Sequence, residues 1–145
     1  MLLNVPRILT PELLMVLDML GHGDEIVIAD SNYPALTMSK DTAYGKPIYV
    51  KGSGVVDMLD AVLTMIPLDY LVNESVIGVF APPERGPIPI HDEFPKVLEK
   101  HGYPADRLKM ISKADFYARA KNAAVVVVTG EASKFANMIV RKGVV

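Results

Sequence analysis

Ala123 to Thr129 reads A-A-V-V-V-V-T, apolar at every position until its last residue. Such a strand does not suit a sheet with one wetted face. It needs cover on both sides, as strands have in parallel sheets flanked by helices. Ile26 to Ala29 (I-V-I-A) repeats the pattern on a shorter scale. Between and around these runs the apolar spacing changes to that of helices. Thr10, Pro11 and Glu12 form an N-cap, an N1 proline and a dipole-favoured acid. Leu13, Leu14, Leu17 and Leu20 then supply one apolar helix face, which Gly21 is placed to end.

The same reading predicts strands at 47–50, 75–81, 108–111 and 138–140, and helices over about 55–65, 95–101 and 112–122. Ser112 with Asp115 three residues later resembles a capping box. Residues 82–89 are too proline-rich for regular structure. Strands alternating with helices predict an α/β fold: one three-layer α/β/α domain over 1–145 with a mainly parallel, mixed sheet. Ligands of such sheets sit beyond the carboxyl ends of strands, which directs attention to the loops after Asp30 and after Thr129.

Composition narrows the function. The 145 residues carry a net charge of −2 and no basic stripe, which argues against nucleic acid as a partner. The chain has no Trp, and its six Tyr and four Phe are scattered, so no stacking platform for single strands is expected. With no cysteine, disulfides, thiolate metal sites and cysteine nucleophiles are all unavailable. No apolar run approaches the roughly 18 residues of a membrane span. The N-terminal residues lack the features of a signal peptide, so the expectation is a cytoplasmic protein without membrane partners. Half of the residues are hydrophobic, high for so short a chain, which predicts apolar surface buried between subunits.

The chemistry concentrates in G-H-G-D-E-I-V-I-A-D, residues 21–30. His22 follows a helix C-terminus, where unpaired carbonyls and nearby Asp24 favour the protonated imidazole and suit it to proton transfer near neutral pH. It reads equally as the solvated histidine of a helix-ending turn. Asp30 ends an apolar strand. It could cap the next turn through the Asn32 or Tyr33 amides, or accept hydrogen bonds from substrate hydroxyls. His91 and His101 lack metal-ligand spacing, and His91 is expected to be a solvated helix start. No metal is expected. No phosphate-binding glycine loop and no serine-hydrolase elbow occurs.

Several stretches together carry a family resemblance: L-T-P-E-L-L at 9–14, G-H-G-D-E-I at 21–26, Asp30 with Pro34, F-Y-A-R-A at 116–120, V-T-G-E at 128–131, F-A-N at 135–137 and the closing K-G-V. In this order, and over essentially the whole chain, they resemble the sugar mutarotases that include L-fucose mutarotase and D-ribose pyranase, with F-Y-x-R-A closer to the fucose branch. The resemblance implies interconversion of sugar anomers by ring opening and closing, without cofactor or metal. It implies a catalytic role for His22 and a substrate-binding role for Asp30. It further implies sugar contacts at Lys113, where the fucose branch has arginine, and at Phe135, Ala136 and Asn137, where the family loop begins with tyrosine. Lysine lacks the planar fork of guanidinium, and Phe135 can stack but not donate. These two departures leave proton transfer intact and put the sugar's identity in question. The resemblance also implies a ring-shaped homo-oligomer, decameric in bacterial members, with pockets near subunit boundaries. The expectation is therefore a mutarotase for L-fucose or a related monosaccharide. Its rivals are pyranose–furanose exchange of the ribose type and a non-catalytic sugar-binding or transport-accessory protein.

Overall fold

The structure, a computed structural model, describes residues 2–145. The valine run forms β5 (Val125–Thr129), buried at all five positions. It lies between β1 (Glu25–Ala29) and β2 (Pro47–Val50), parallel to both. Across β1 the sheet continues into β6 (Met138–Arg141), then β3 (Val76–Val79), then β4 (Leu108–Ile111). The six-stranded order is β2-β5-β1-β6-β3-β4. β6 pairs antiparallel with both of its neighbours, and the other pairings are parallel. The reversal has a simple cause: segment 130–137, joining β5 to β6, is shorter than the dozen or so residues a parallel crossover needs.

Strand periodicity of two sorts the buried side chains onto two faces. Ile26, Ile28, Val125, Val127, Met138 and Val140 pack with α1 (Pro11–Met19), α3 (Val55–Met65) and α4 (Glu93–Lys100). Val27, Ala29, Val126, Val128, Ile77 and Ile139 pack with Ala35 of α2 (Ala35–Met38) and with Phe116 and Ala120 of α5 (Lys113–Ala120). Both faces are covered, as the apolar runs require, giving the expected α/β/α layering. No helix among the described residues is long and apolar enough to cross a membrane.

The caps also form. Thr10 Oγ1 accepts from the Leu13 amide at 3.2 Å, and Ser112 Oγ accepts from the Asp115 amide at 3.1 Å while donating to its carboxylate at 2.7 Å. Some boundaries differ from the sequence reading. β5 begins at Val125 because the Ala123 amide still bonds the Ala120 carbonyl behind α5. α4 starts at Glu93, ahead of Pro95, whose missing amide costs nothing in a first turn. Leu20 leaves α1 in an extended conformation, and the left-handed glycine is Gly23 at φ +87°, not Gly21.

Candidate active site

Beyond the carboxyl ends of β1 and β3 lies a cavity of about 280 Å³. Asp30, Tyr33, Lys113, Phe116, Tyr117, Phe135 and Asn137 line it, with Asn32, Val79 and Lys134. Lys113, Phe116 and Tyr117 come from one face of α5, at spacings of three and four residues. Ser112 begins that helix and so places Lys113, whose Nζ stands 5.4 Å from the Tyr117 ring centroid.

Asp30 is 2% exposed and rigidly held. Its Oδ1 accepts from the Asn32 amide at 2.8 Å, and its Oδ2 accepts from Asn137 Nδ2 at 3.0 Å. The Asp30 amide in turn donates to Asn137 Oδ1 at 2.8 Å. Thus the turn-capping role and the presence in a pocket, compatible readings from sequence, coexist in one carboxylate. Burial pushes the Asp30 carboxyl above its ordinary value, and the Asn32, Ala136, Asn137 and Tyr33 donors only partly offset it. The two hydrogen bonds with full geometry, from the Asn32 amide and Asn137 Nδ2, occupy two of a carboxylate's roughly four acceptor positions, and the Ala136 and Tyr33 amides lie near it as further donors.

The loop that brings Asn137 to Asp30 turns on Phe135, a non-glycine residue at φ +59°. That conformation costs about 1 kcal/mol or more. It is held in part by His91, whose Nε2 donates to the Phe135 carbonyl at 2.7 Å. His91 is therefore not the solvated helix start expected of it. After Phe135, Ala136 turns its side chain into the core and reaches the site only through its backbone. At the loop's other end, Thr129 Oγ1 donates to the Ala29 carbonyl at 2.9 Å, and the Glu131 carbonyl accepts from the Ser31 amide at 2.9 Å. The V-T-G-E stretch clasps β1 to β5 beside the cavity.

His22 lies elsewhere. It precedes β1 whereas Asp30 follows it, and five extended residues separate the two sheet edges by about 16 Å. Within one chain, therefore, the cavity that holds Asp30 does not hold His22. Nor does Asp24 serve the imidazole, since its carboxylate accepts from the Gly21 amide at 2.7 Å. The partner of His22 is Asp69, with Nε2 3.1 Å from Oδ2. The Asp69 side chain is 1% exposed, and its Oδ2 also accepts from Arg141 Nε at 2.8 Å while Oδ1 accepts from the Leu71 amide at 2.9 Å. Burial alone would raise the Asp69 carboxyl, but Arg141, the Leu71 amide and His22 together hold it below its ordinary value. An ionised carboxylate only accepts, so His22 Nε2 carries a proton and Nδ1 is the free nitrogen. The His22 side chain is 40% exposed and so accessible from outside the chain.

Sequence reasoning missed Tyr33, Tyr117, His91 and Asp69. The α5 face offered a signal for Tyr117, because Lys113 and Tyr117 are four apart. Asp69 offered none, standing 47 residues from His22.

Residues 3–145 match the RbsD / FucU transport protein family. The chain is 40% identical over 145 residues to the fucose mutarotase of Homo sapiens, covering 97% of this chain and 92% of that one. It superposes on the fucose mutarotase of Streptococcus pneumoniae solved in complex with L-fucose, with a TM-score of 0.92, 35% identity and 99% of each chain covered. The FucU structure from Bifidobacterium longum gives a TM-score of 0.91 at 37% identity, with 98% of this chain and 99% of that one covered. The chain belongs to the RbsD / FucU transport protein family.

Proposed function

We propose that this protein is a cofactor-free mutarotase for L-fucose or a closely related monosaccharide, acting in the cytoplasm as single-domain chains whose sites are shared between subunits. The observation that carries the reading is the locked Asp30–Asn137 pair in a cavity of sugar size beside a relative's fucose-binding fold. In this reading Asp30 accepts from sugar hydroxyls, Asn137 and Lys113 add polar contacts, and Phe135 presents an aromatic face to the sugar's C–H groups. His22 of a neighbouring copy then supplies the proton-transfer group, because its own chain holds it at the far edge of the sheet.

The reaction requires that the anomeric hydroxyl lose its proton, the C1–O5 bond break and O5 gain a proton. The open-chain aldehyde turns about C1–C2 and closes on its other face by the reverse steps. His22 Nδ1, unprotonated in the neutral ring that Asp69 orients, is the atom that takes and returns a proton. One positioned acid–base group is commonly worth about 10²- to 10⁴-fold.

Exposed apolar side chains support a shared site. Met19 (69% exposed) and Leu71 (63%) stand at the His22 edge, while Leu36 (70%) and Phe80 (57%) stand at the cavity edge. Burial of both edges between copies accounts for the excess of hydrophobic residues, and a ring of subunits is the assembly that the family resemblance favours.

Saturation-transfer NMR on the anomeric protons of L-fucose tests the proposal, with wild type, His22→Ala, Asp30→Asn, and the two variants co-expressed. Wild type accelerates exchange and each variant alone does not. Random mixing leaves about a quarter of shared sites with both groups intact, so activity partly returns. Without that recovery the site is not shared. Sugar binding by wild type without acceleration would replace the enzyme with a binding or transport-accessory protein, and acceleration confined to ribose would move the substrate to the other branch.

A further inference from the structure

We infer that the Tyr33 hydroxyl is a specificity-determining group of the cavity, completing its hydrogen bonding only when a hydroxyl of the bound sugar meets it. Tyr33 lines the same cavity as Asp30 and Lys113 and is 6% exposed, yet its hydroxyl has no hydrogen-bond partner among the described residues. Buried tyrosine hydroxyls normally find a partner, and leaving one unmet is costly enough to need an explanation. Ser75 is the other buried hydroxyl without one, and it stands at the start of β3, away from the cavity.

The ring has little freedom to escape this position. It packs edge-on to Phe116 at 6.5 Å and tilted against Tyr117 at 5.5 Å. Its backbone is tied to the aspartate that anchors the sugar: the Tyr33 amide donates to the Asp30 carbonyl at 3.3 Å, and the Tyr33 carbonyl accepts from Ala35 at 2.7 Å. Burial and the neighbouring Tyr117 keep the phenol protonated far above neutral pH, so it can donate throughout the working range.

The inventory of the cavity points the same way. Asn137 is largely committed to Asp30, Phe135 has no hydroxyl, and Lys113 is a charged, exposed donor at the rim. Two tyrosines line the cavity: Tyr117 is half-buried, and Tyr33 carries the buried hydroxyl that no described residue meets. A site built to bond a substrate hydroxyl discriminates strongly against the analogue lacking it. This inference rests on the sugar-binding part of the proposed function and not on the catalytic step.

The test is Tyr33→Phe, which removes one oxygen and leaves the packing shape unchanged. Affinity is read by NMR titration with L-fucose and its monodeoxy analogues, alongside KM and kcat from anomeric exchange and the melting temperature without sugar. Affinity for L-fucose falls about three- to tenfold, the range for losing one neutral hydrogen bond. The loss falls on KM more than on kcat. One monodeoxy analogue binds wild type and variant equally, which identifies the hydroxyl read by Tyr33. The sugar-free melting temperature stays level or rises, since a buried unmet hydroxyl is gone. Unchanged affinity across the whole panel overturns the inference while leaving a mutarotase intact. A fall in melting temperature with affinity unchanged assigns the hydroxyl to structure and also overturns it. If wild type binds L-fucose without accelerating exchange, the catalytic reading fails and the titration still decides Tyr33. If wild type binds no monosaccharide, both fall.

Discussion

Asp69→Asn separates orientation of His22 from support of the fold. The wild-type carboxylate meets three donors: His22 Nε2 and Arg141 Nε on Oδ2, and the Leu71 amide on Oδ1. Asparagine has one acceptor oxygen and one NH₂, so one side must become donor against donor. Arg141 and the backbone amide cannot reverse their roles, but His22 can, by moving its proton to Nδ1. The favoured arrangement therefore leaves Arg141 without this partner and converts Nδ1 from acceptor to donor. The Arg141 side chain is 31% exposed and lies 3.7 Å from Glu25, so losing this bond costs about 2 kcal/mol, the lower part of the range for bonds to charged groups. At this chain length that is a fall of about 8 °C in melting temperature. The catalytic loss is larger, about 10²-fold or more, because the tautomer is wrong for accepting a proton at Nδ1. Arg141→Lys provides the comparison, loosening the same carboxylate without reversing the imidazole. The assay is L-fucose anomeric exchange by saturation transfer across pH 5–9, beside thermal melts of both variants. An Asp69→Asn protein that loses stability but keeps its exchange rate within about threefold, with the wild-type pH profile, would refute the reasoning.

Two further outcomes follow from the cavity edge. The folded Asp30 carboxyl titrates above its unfolded value of about 3.9, so the folded state binds more protons between the two values. Its contribution to stability is therefore complete below the unfolded value and lost as pH rises through the folded one. Urea melts from pH 3.5 to 7 should show this slope flattened in Asp30→Asn, while fucose affinity in wild type weakens as pH falls through the same window; a steeper slope in the variant contradicts the assignment. Gly130→Ala should lose about 2 kcal/mol by calorimetry and raise KM, because its Cβ would collide with the Lys51 carbonyl, which no side-chain rotation relieves, and displace the loop bearing Phe135 and Asn137.

The layered fold was legible because the evidence for it is local. Four valines in succession require cover on both faces, and the caps at Thr10 and Ser112 mark helix starts within a few residues. Asp30 was legible for the same reason: a carboxylate ending a buried strand must emerge at the sheet's edge. Its lock was not, since Asn137 is 107 residues away and becomes its partner only through a left-handed turn at Phe135 that no glycine announces. Asp69 was equally hidden, an acid in a plain P-L-D-Y segment that the β6 edge brings against Arg141. The separation of His22 from Asp30 was already written in the sequence. I-V-I-A between them is a strand, and a strand holds its ends apart.

That separation constrains any assembly in which the two groups cooperate. The His22 edge of one copy must lie against the cavity edge of another. Two symmetries satisfy this. A two-fold pair standing side by side with sheets reversed brings both edges together twice and closes at once. A head-to-tail contact brings them together once per interface and must continue until a ring closes. Under either symmetry, a substitution at Met19 or Leu71 acts on a cavity in another chain, not on its own. The exposed apolar residues then have the same physical origin as the split site. In such an assembly, the contact that buries both edges also brings the cavity of one copy to the imidazole of the next.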